Sequence, residues 1–178
     1  MTGPYEIARA RPDEVPLLPG IERRAGARFE QLAETAHLPA FYTPLEDFEE
    51  GQRAGRLWVA RTGGAPVGFA LAVEGEGDLH LQEVDVLPEH GRHGLGTRLV
   101  EAVCAHARAR GQGVTLTTFR RVPWNAPFYA RLGFRELAEE ELTPSLRRHR
   151  AEEEGAGLPR EQRCVMRWRP GPPRDGVG

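Results

Sequence analysis

The segment from Val84 to Leu99 restricts the fold of this chain more than any other. Its sequence, VDVLPEHGRHGLGTRL, begins as the end of an apolar strand, passes through a glycine-rich turn and continues as an amphipathic helix. Backbone N–H groups at the start of a helix have no partner within it, and the helix dipole favours an anion there. The segment therefore predicts a strand–turn–helix unit that could hold a pyrophosphate.

Two glycines in this turn allow its backbone to approach a ligand closely, since Gly94 and Gly96 carry no side chain. Arg92 adds a positive charge suited to a phosphate, and Thr97 adds a hydroxyl group. In the alternative interpretation, the glycines serve only the geometry of the connection. The spacing Gly91-x-x-Gly94-x-Gly96 does not fit the dinucleotide-binding fingerprint.

Composition removes several other classes of protein. The chain has 24 basic and 26 acidic residues, for a formal net charge of -2, and every basic residue is an arginine. Without lysine, a P-loop or a Schiff-base mechanism is excluded. The charge balance argues against a nucleic-acid partner. No apolar run approaches the roughly 18 residues of a membrane span, so no membrane association is expected.

Length and cysteine content indicate a simple organisation. Cys104 and Cys164 lie far apart and no secretory leader is apparent, so we expect a protein of the reducing cytoplasm without a disulfide framework. The 178 residues are sufficient for one domain, which we predict at 1–169. The Pro/Gly-rich stretch 170–178 is expected to be disordered.

Hydrophobic periodicity predicts alternating strands and helices. The predicted strands are 5–9, 57–60, 67–73, 79–87, 114–119, one opened by Phe134, and 164–168. Helical composition or periodicity covers 13–36, 45–53, 94–110 and 126–132, and the charged stretch 143–161 is expected to be a surface loop or helix. Within 79–87 the apolar positions change parity between Leu81 and Val84, which predicts a β-bulge near Gln82 and Glu83.

The Val84–Leu99 segment resembles motif A of the GCN5-related N-acetyltransferases, the GNAT family. That motif reads Arg/Gln-x-x-Gly-x-Gly/Ala after a strand that ends near Val-x-Pro. Gly94 and Gly96 match its glycines, and Val86 with Pro88 match its lead-in. The first position departs from the motif, since Gly91 stands where the family usually has Arg or Gln and Arg92 follows one residue later.

A second segment resembles another block of the same family. Residues 127–134, PFYARLGF, are similar to the (Phe/Leu)-Tyr-x-(Lys/Arg)-x-Gly-Phe block that follows the fifth GNAT strand. The segment begins 31 residues after Gly96, which leaves room for a helix and a strand between the two motifs. The family asparagine seven residues before the tyrosine is absent, with Val122 in its place, and Asn125 is a nearby substitute.

The resemblance implies an α/β fold: a mixed, mostly antiparallel central sheet flanked by helices, with a splayed strand pair that holds acetyl-CoA. It also implies an acyltransferase that uses acetyl-CoA as cosubstrate and transfers its acetyl group to a primary amine by direct attack in a ternary complex. A small-molecule acceptor is favoured over a protein N-terminal or side-chain amine. A non-catalytic acyl-CoA-binding module and transfer of another acyl group are the alternatives.

The cofactor-binding residues implied by the resemblance lie in the last strand positions before the turn, in the turn itself and near the second block. They are Val84, Val86, Gly91, Arg92, His93, Gly94, Gly96, Thr97, Asn125 and Phe128. His90 and His93 flank the turn, but no third ligand stands at a recognisable spacing, so no metal site is expected.

Three catalytic roles follow from the resemblance. His80 or Glu83 is the candidate base, unless the amine arrives neutral or loses its proton to water. The backbone N–H of Val86 is the candidate donor to the carbonyl oxygen. Tyr129 is the candidate acid for the leaving thiolate. The alternatives are a surface position for His80 and a purely core position for Tyr129.

The family places the acceptor groove between the first two helices and the loop before the last strand. Its candidate residues combine aromatic and acidic side chains, which would suit an amine with an apolar part: Glu22, Phe29, Glu30, Phe41 and Tyr42. GNAT proteins are often dimers, and the strand 164–168 is a candidate interface for a homodimer.

Overall fold

A computed structural model of the chain describes residues 4–171 and shows a seven-stranded sheet in the order β1-β2-β3-β4-β5-β7-β6. The strands are β1 (Glu6–Arg9), β2 (Leu57–Thr62), β3 (Ala65–Glu74), β4 (Leu79–Val86), β5 (Val114–Phe119), β6 (Arg135–Glu136) and β7 (Arg163–Trp168). Every pairing is antiparallel except β4 with β5. The predicted tail lies outside the described residues from position 172 onward.

Five α-helices flank the sheet: α1 (Leu18–Gly26), α2 (Leu45–Arg53), α3 (Leu95–Ala109), α4 (Ala126–Arg131) and α5 (Pro144–Gly155). A 3₁₀ turn precedes α1 and another follows it, at Val15–Leu17 and Ala27–Gln31, so the region predicted as helical at 13–36 is divided into shorter pieces. The mixed, mostly antiparallel sheet with flanking helices confirms the predicted fold class. None of these helices is both long and apolar enough to cross a bilayer.

The two faces of the sheet are covered by different helices. Phe69 of β3 contacts Phe48 of α2, with 5.1 Å between ring centroids. Trp58 of β2, which pairs with Ala70, instead contacts His106 of α3. Because neighbouring residues of a strand point to opposite faces, α2 and α3 lie on opposite sides of the sheet. Both faces are therefore buried, as the apolar sequence of β3 requires.

The predicted bulge is present in β4. Leu71 pairs with Glu83 while Ala72 pairs with Leu81, so Gln82 is the extra residue. Without the bulge, a side chain at position 83 would face the opposite side from His80. With it, His80, Glu83 and Asp85 pair with alternate residues of β3 and point to one face. The inserted residue thus places Glu83 and Asp85 on the same face as His80, the side of α1 and α2.

The parallel contact between β4 and β5 is short. It consists of the pairs Leu79–Val114 and His80–Thr115, after which the strands separate. Beyond this point, the backbone edges of β4 and β5 that face each other lie along an open gap. The predicted splay of this strand pair is therefore seen, and it creates the cleft that contains the candidate site.

The charged stretch after β6 forms helix α5, which is capped at its start by Thr143, whose hydroxyl accepts a bond from the N–H of Leu146. Arg163 of β7 binds Glu153 of α5 at 2.6 Å, which fixes the helix beside the cleft. Strand β7 itself lies between β5 and β6 and is not an edge of the sheet. The predicted homodimer stays a prediction, and β7 does not offer it an open sheet edge.

Candidate active site

A cavity of about 710 Å³ lies where β4 and β5 diverge. Side chains of α1, the loop 35–44, β4, β5, α4 and α5 line it. It brings together four groups from the sequence analysis: the candidate base Glu83, the candidate acid Tyr129, Asn125 and the acceptor candidates. Residues separated by more than 100 positions in the sequence therefore line the same cavity.

The glycine-rich turn joins β4 to α3 as predicted. A short 3₁₀ turn at Pro88–His90 is followed by two residues with positive φ, Arg92 at 61° and Gly94 at 70°. Gly94 is the N-cap of α3, and no side chain caps the helix. The N–H groups of its first turn are therefore left for solvent or a ligand.

Neighbouring side chains support this turn. The Nδ1–H of His93 donates to the backbone oxygen of Gly91 at 2.8 Å, so this histidine folds back on the turn. Gly96 lies against α4, where a Cβ on it would approach the Phe128 ring to 3.5 Å. A Cβ at this distance would make ordinary van der Waals contact, so the starts of α3 and α4 are neighbours but do not require a glycine.

Asn125 stands at the start of α4. Its Nδ2 donates to the Thr118 hydroxyl of β5 at 2.7 Å, which ties α4 to the diverging strand. Its Oδ1 is buried and has no hydrogen-bond partner among the described residues. An unpaired buried amide oxygen that lines a cavity is suited to accept a hydrogen bond from a bound molecule.

The backbone of β4 also presents donors to the gap. The N–H of Leu87 donates to Val67 of the β3 side at 2.8 Å. Because N–H groups alternate in direction along an antiparallel strand, those of Val86 and Val84 point to the other side, toward β5. The strands have already separated there. The predicted position of the Val86 N–H at the splay agrees with this geometry.

Three carboxylates meet inside the cavity: Glu22 of α1 and Glu83 and Asp85 of β4. One oxygen of each lies within 4.8 Å of the others. Glu22 accepts hydrogen bonds from the backbone N–H of Thr43 at 2.9 Å and from its hydroxyl at 2.7 Å. We refer to Glu22, Glu83 and Asp85 as the carboxylate cluster. Asp85 was missed in the sequence analysis, although it stands two residues after Glu83 on the same strand.

Close approach in a partly dry cavity changes the protonation of the cluster. Desolvation and the neighbouring Glu22 raise the pKa of Glu83 to about 7. Burial and Glu83 raise the pKa of Asp85 well above its ordinary value. Burial also raises the pKa of Glu22, against the hydrogen bonds from Thr43. At neutral pH the cluster therefore holds protons that isolated carboxyl groups would have lost.

Tyr129 adds a phenol to the same cavity. Its ring packs edge-on against Phe128 and Phe134, and the residue is 7% exposed. Burial raises the pKa of its hydroxyl, and the negative charges of Glu83 and Asp85 raise it further. The phenol is therefore protonated across the physiological range and can act as a donor. Tyr129 is therefore a core residue that also lines the cavity, and its role as the acid stays a prediction.

His80 lies elsewhere. Its Nδ1 is 3.0 Å from the Thr115 hydroxyl, at the closed end of the strand pair, and its ring packs against His149 of α5. It lines a separate cavity of about 300 Å³. Burial, with the nearby His149, lowers the pKa of His80 to about 4. Of the two base candidates, only Glu83 lines the cavity of about 710 Å³ that contains Tyr129, which we call the main cavity.

The acceptor candidates line the same cavity as Glu83 and Tyr129. Glu22, Phe29, Glu30, Phe41 and Tyr42 all line it. Phe41 and Tyr42 are 50% and 53% exposed, unusual values for large apolar side chains that are not packed elsewhere. Arg28 lies over the Trp124 ring at 4.9 Å. Partial desolvation lowers its pKa, while Asp85, Tyr129 and Glu83 oppose that shift.

Comparison with known proteins places this geometry in a family. Residues 53–136 match the acetyltransferase (GNAT) domain, a range that includes both motifs described above. Together with the fold, this match assigns a GNAT acetyltransferase domain to residues 53–136, and acetyl-CoA is the cosubstrate of that family.

Solved structures of other acetyltransferases share this fold. N-acetylglutamate synthase from Neisseria gonorrhoeae, complexed with coenzyme A and N-acetyl-glutamate, is 19% identical with a TM-score of 0.68; the match covers 93% of this chain and 35% of that chain. The ribosomal-protein-S18-alanine N-acetyltransferase from Escherichia coli is 18% identical with a TM-score of 0.64, covering 97% and 99%. A GNAT acetyltransferase from Staphylococcus aureus Mu50 is 15% identical with a TM-score of 0.67, covering 93% and 98%. The chain thus spans about a third of the first of these proteins.

Proposed function

We propose that this chain is an acetyl-CoA-dependent N-acetyltransferase that acetylates a primary amine of a small molecule. The observation that carries the proposal is the cavity that places Tyr129 together with Glu83, which lies on the strand that leads directly into the glycine-rich turn. Structures with this fold include enzymes named for a protein acceptor and for an amino-acid product. The small-molecule assignment rests on the cavity, which the loop 35–44 and α5 border on both sides.

The cosubstrate would bind along the open edge of β4. The uncapped N–H groups at the start of α3, with Arg92 and Thr97, suit its pyrophosphate. His93 and Gly91 support the turn, and the Gly96–Phe128 contact forms the adjoining wall. Asn125 offers its unpaired Oδ1 to an amide N–H of the pantetheine arm.

Chemistry would take place where β4 and β5 have separated. Glu83, in its carboxylate form, takes a proton from the acceptor ammonium so that the neutral amine can attack the thioester carbonyl. The N–H of Val86 donates to the carbonyl oxygen as negative charge develops on it. Tyr129 donates its proton to the departing thiolate, and the second proton that the attacking nitrogen loses as the amide forms returns to the phenol through solvent. Acetyl transfer thus needs no covalent link to the protein.

Calorimetry with acetyl-CoA and a thiol-release assay across a panel of primary amines test this function together. We expect acetyl-CoA to bind and at least one amine to release free thiol at a rate above hydrolysis. Binding without thiol release for any amine would instead favour the non-catalytic acyl-CoA-binding module. Absence of acetyl-CoA binding would contradict both the N-acetyltransferase and the acyl-CoA-binding module.

The turn itself can be tested with a matched pair of alanine substitutions. Gly94 and Gly63 have φ of +70° and +55°, and a Cβ on either would meet nothing within 4 Å, but Gly63 lies in the remote β2–β3 turn. Each alanine should cost about 1–2 kcal/mol of stability through backbone strain. Only Gly94→Ala should also weaken acetyl-CoA binding, by about tenfold or more. Equal affinities of the two variants for acetyl-CoA would show that the cosubstrate does not bind at this turn.

A further inference from the structure

The carboxylate cluster contains a buried oxygen without a partner. One oxygen of Glu22 binds Thr43, while its Oε2 is buried and accepts no hydrogen bond from the described residues. The residue is 5% exposed. A buried carboxylate oxygen left unpaired is costly, and a bound donor would remove that cost. The donor must enter through the cavity, because Glu22 lines it beside Glu83.

We propose that the cluster binds the acceptor as an ammonium ion, with Glu22 as its anchoring residue, and that the acceptor is an aromatic or aliphatic amine without a neighbouring carboxylate. This inference rests on the proposed function and specifies the substrate class. An ammonium group has three N–H donors and no acceptor. The cluster offers three carboxylates whose oxygens lie within 4.8 Å of each other. The number of donors therefore matches the number of carboxyl groups, and the ammonium charge is opposite in sign to that of the cluster.

Charge around the cluster disfavours an acceptor that carries its own carboxylate. Two arginines approach the cavity. Arg163 is already bound to Glu153 at 2.6 Å, and Arg28 lies over the Trp124 ring in the field of Asp85 and Glu83. An α-amino acid would bring a further negative charge close to Glu83. Like charges in such a site oppose binding.

Aromatic side chains that line the same cavity favour an apolar body. Phe29 lines the same cavity, and Phe41 and Tyr42 expose half of their surface beside it. Exposed aromatic side chains at the mouth of a polar-ended cavity are typical of a site for an amphipathic ligand. An arylalkylamine would place its ammonium at the cluster and its ring against these residues.

Phenethylamine and phenylalanine test the inference directly, because they differ only in a carboxylate. In the thiol-release assay, kcat/KM for phenethylamine should exceed that for phenylalanine by on the order of 100-fold. Glu22→Gln should raise the KM for phenethylamine about tenfold, with a smaller change in kcat and none in the KM for acetyl-CoA. Glu49→Gln, on the exposed side of α2, is the matched control and should leave all three values unchanged.

The inference is overturned if phenylalanine is used as well as phenethylamine, or if Glu22→Gln has the kinetics of the control. The first comparison uses the unaltered chain, so it holds even where Glu22→Gln fails to fold. If only amino acids gave thiol release, the proposed N-acetyltransferase function would be supported. The inference that the acceptor lacks a neighbouring carboxylate would be contradicted.

Binding can also be measured without acetyl-CoA. A cation at the cluster lowers the pKa of its carboxyls, so phenethylamine binding at pH 7 should release protons, seen by calorimetry in two buffers of different ionisation enthalpy. The other charged or titratable groups that act on the cluster are Arg23, Arg28, Tyr129 and Arg163. Glu22→Gln should reduce the release. Phenethylamine binding with proton release but no thiol release would contradict the proposed function alone, and no binding would contradict the inference.

Discussion

Replacement of Glu83 by glutamine is expected to lower kcat by about 10²- to 10³-fold, the range for loss of a general base. Glutamine keeps the shape of the side chain but cannot accept a proton from the acceptor ammonium. Glu83 is the base candidate that lines the cavity with Tyr129. Stopped-flow detection of released thiol at saturating amine would measure the decrease in the chemical step.

The same substitution should change the pH dependence. Glu83 has a pKa raised to about 7, so kcat/KM of the unaltered chain should rise as pH increases through that value and the base loses its proton. Glu83→Gln should remove this limb. A raised carboxyl pKa also means that the folded state holds the proton more tightly than the unfolded chain. The stability this contributes is present at low pH and is lost as pH rises through about 7.

His80→Gln is the informative control. The pKa of His80 is lowered to about 4, so its titration does not produce a limb near neutral pH. We expect the His80 variant to keep the limb and most of the activity. A limb that survives in Glu83→Gln and disappears in His80→Gln would assign the base to the histidine and contradict the mechanism.

The sequence predicted the local parts of this site well. Parity of the apolar residues located the bulge at Gln82, and the glycine spacing located the turn before α3. Both features depend on only a few consecutive residues, because the alternation of a strand and the conformational freedom of glycine are local properties. The predicted single domain and the assigned roles of the site residues stay predictions.

Contacts between residues that are far apart in the sequence could not be predicted in the same way. Nothing near Glu22 in the sequence indicates that it meets Glu83 and Asp85, since that contact depends on how α1 packs across β4. The pKa of about 7 for Glu83 follows from this contact and from desolvation. His80 shows the converse: its position on β4 suited a base, but the closed end of the strand pair sets it against Thr115.

Tyr129→Phe should lower kcat by about 10²-fold, while acetyl-CoA affinity stays within about twofold of the original value. The ring packs against Phe128 and Phe134, and phenylalanine preserves that packing. The lost group is a phenol that stays protonated because burial raises its pKa. The variant therefore removes only the proton supplied to the leaving thiolate.

Three measurements separate this role from a structural one. Calorimetry should give an unchanged acetyl-CoA affinity, and the limb near pH 7 should persist at lower height, because it belongs to Glu83. The free energy of unfolding should change by no more than about 1 kcal/mol, since phenylalanine keeps the packing of the ring against Phe128 and Phe134. If kcat is unchanged, the proton must reach the thiolate from water. If stability and affinity fall together with kcat, Tyr129 acts through the core it shares with Phe134.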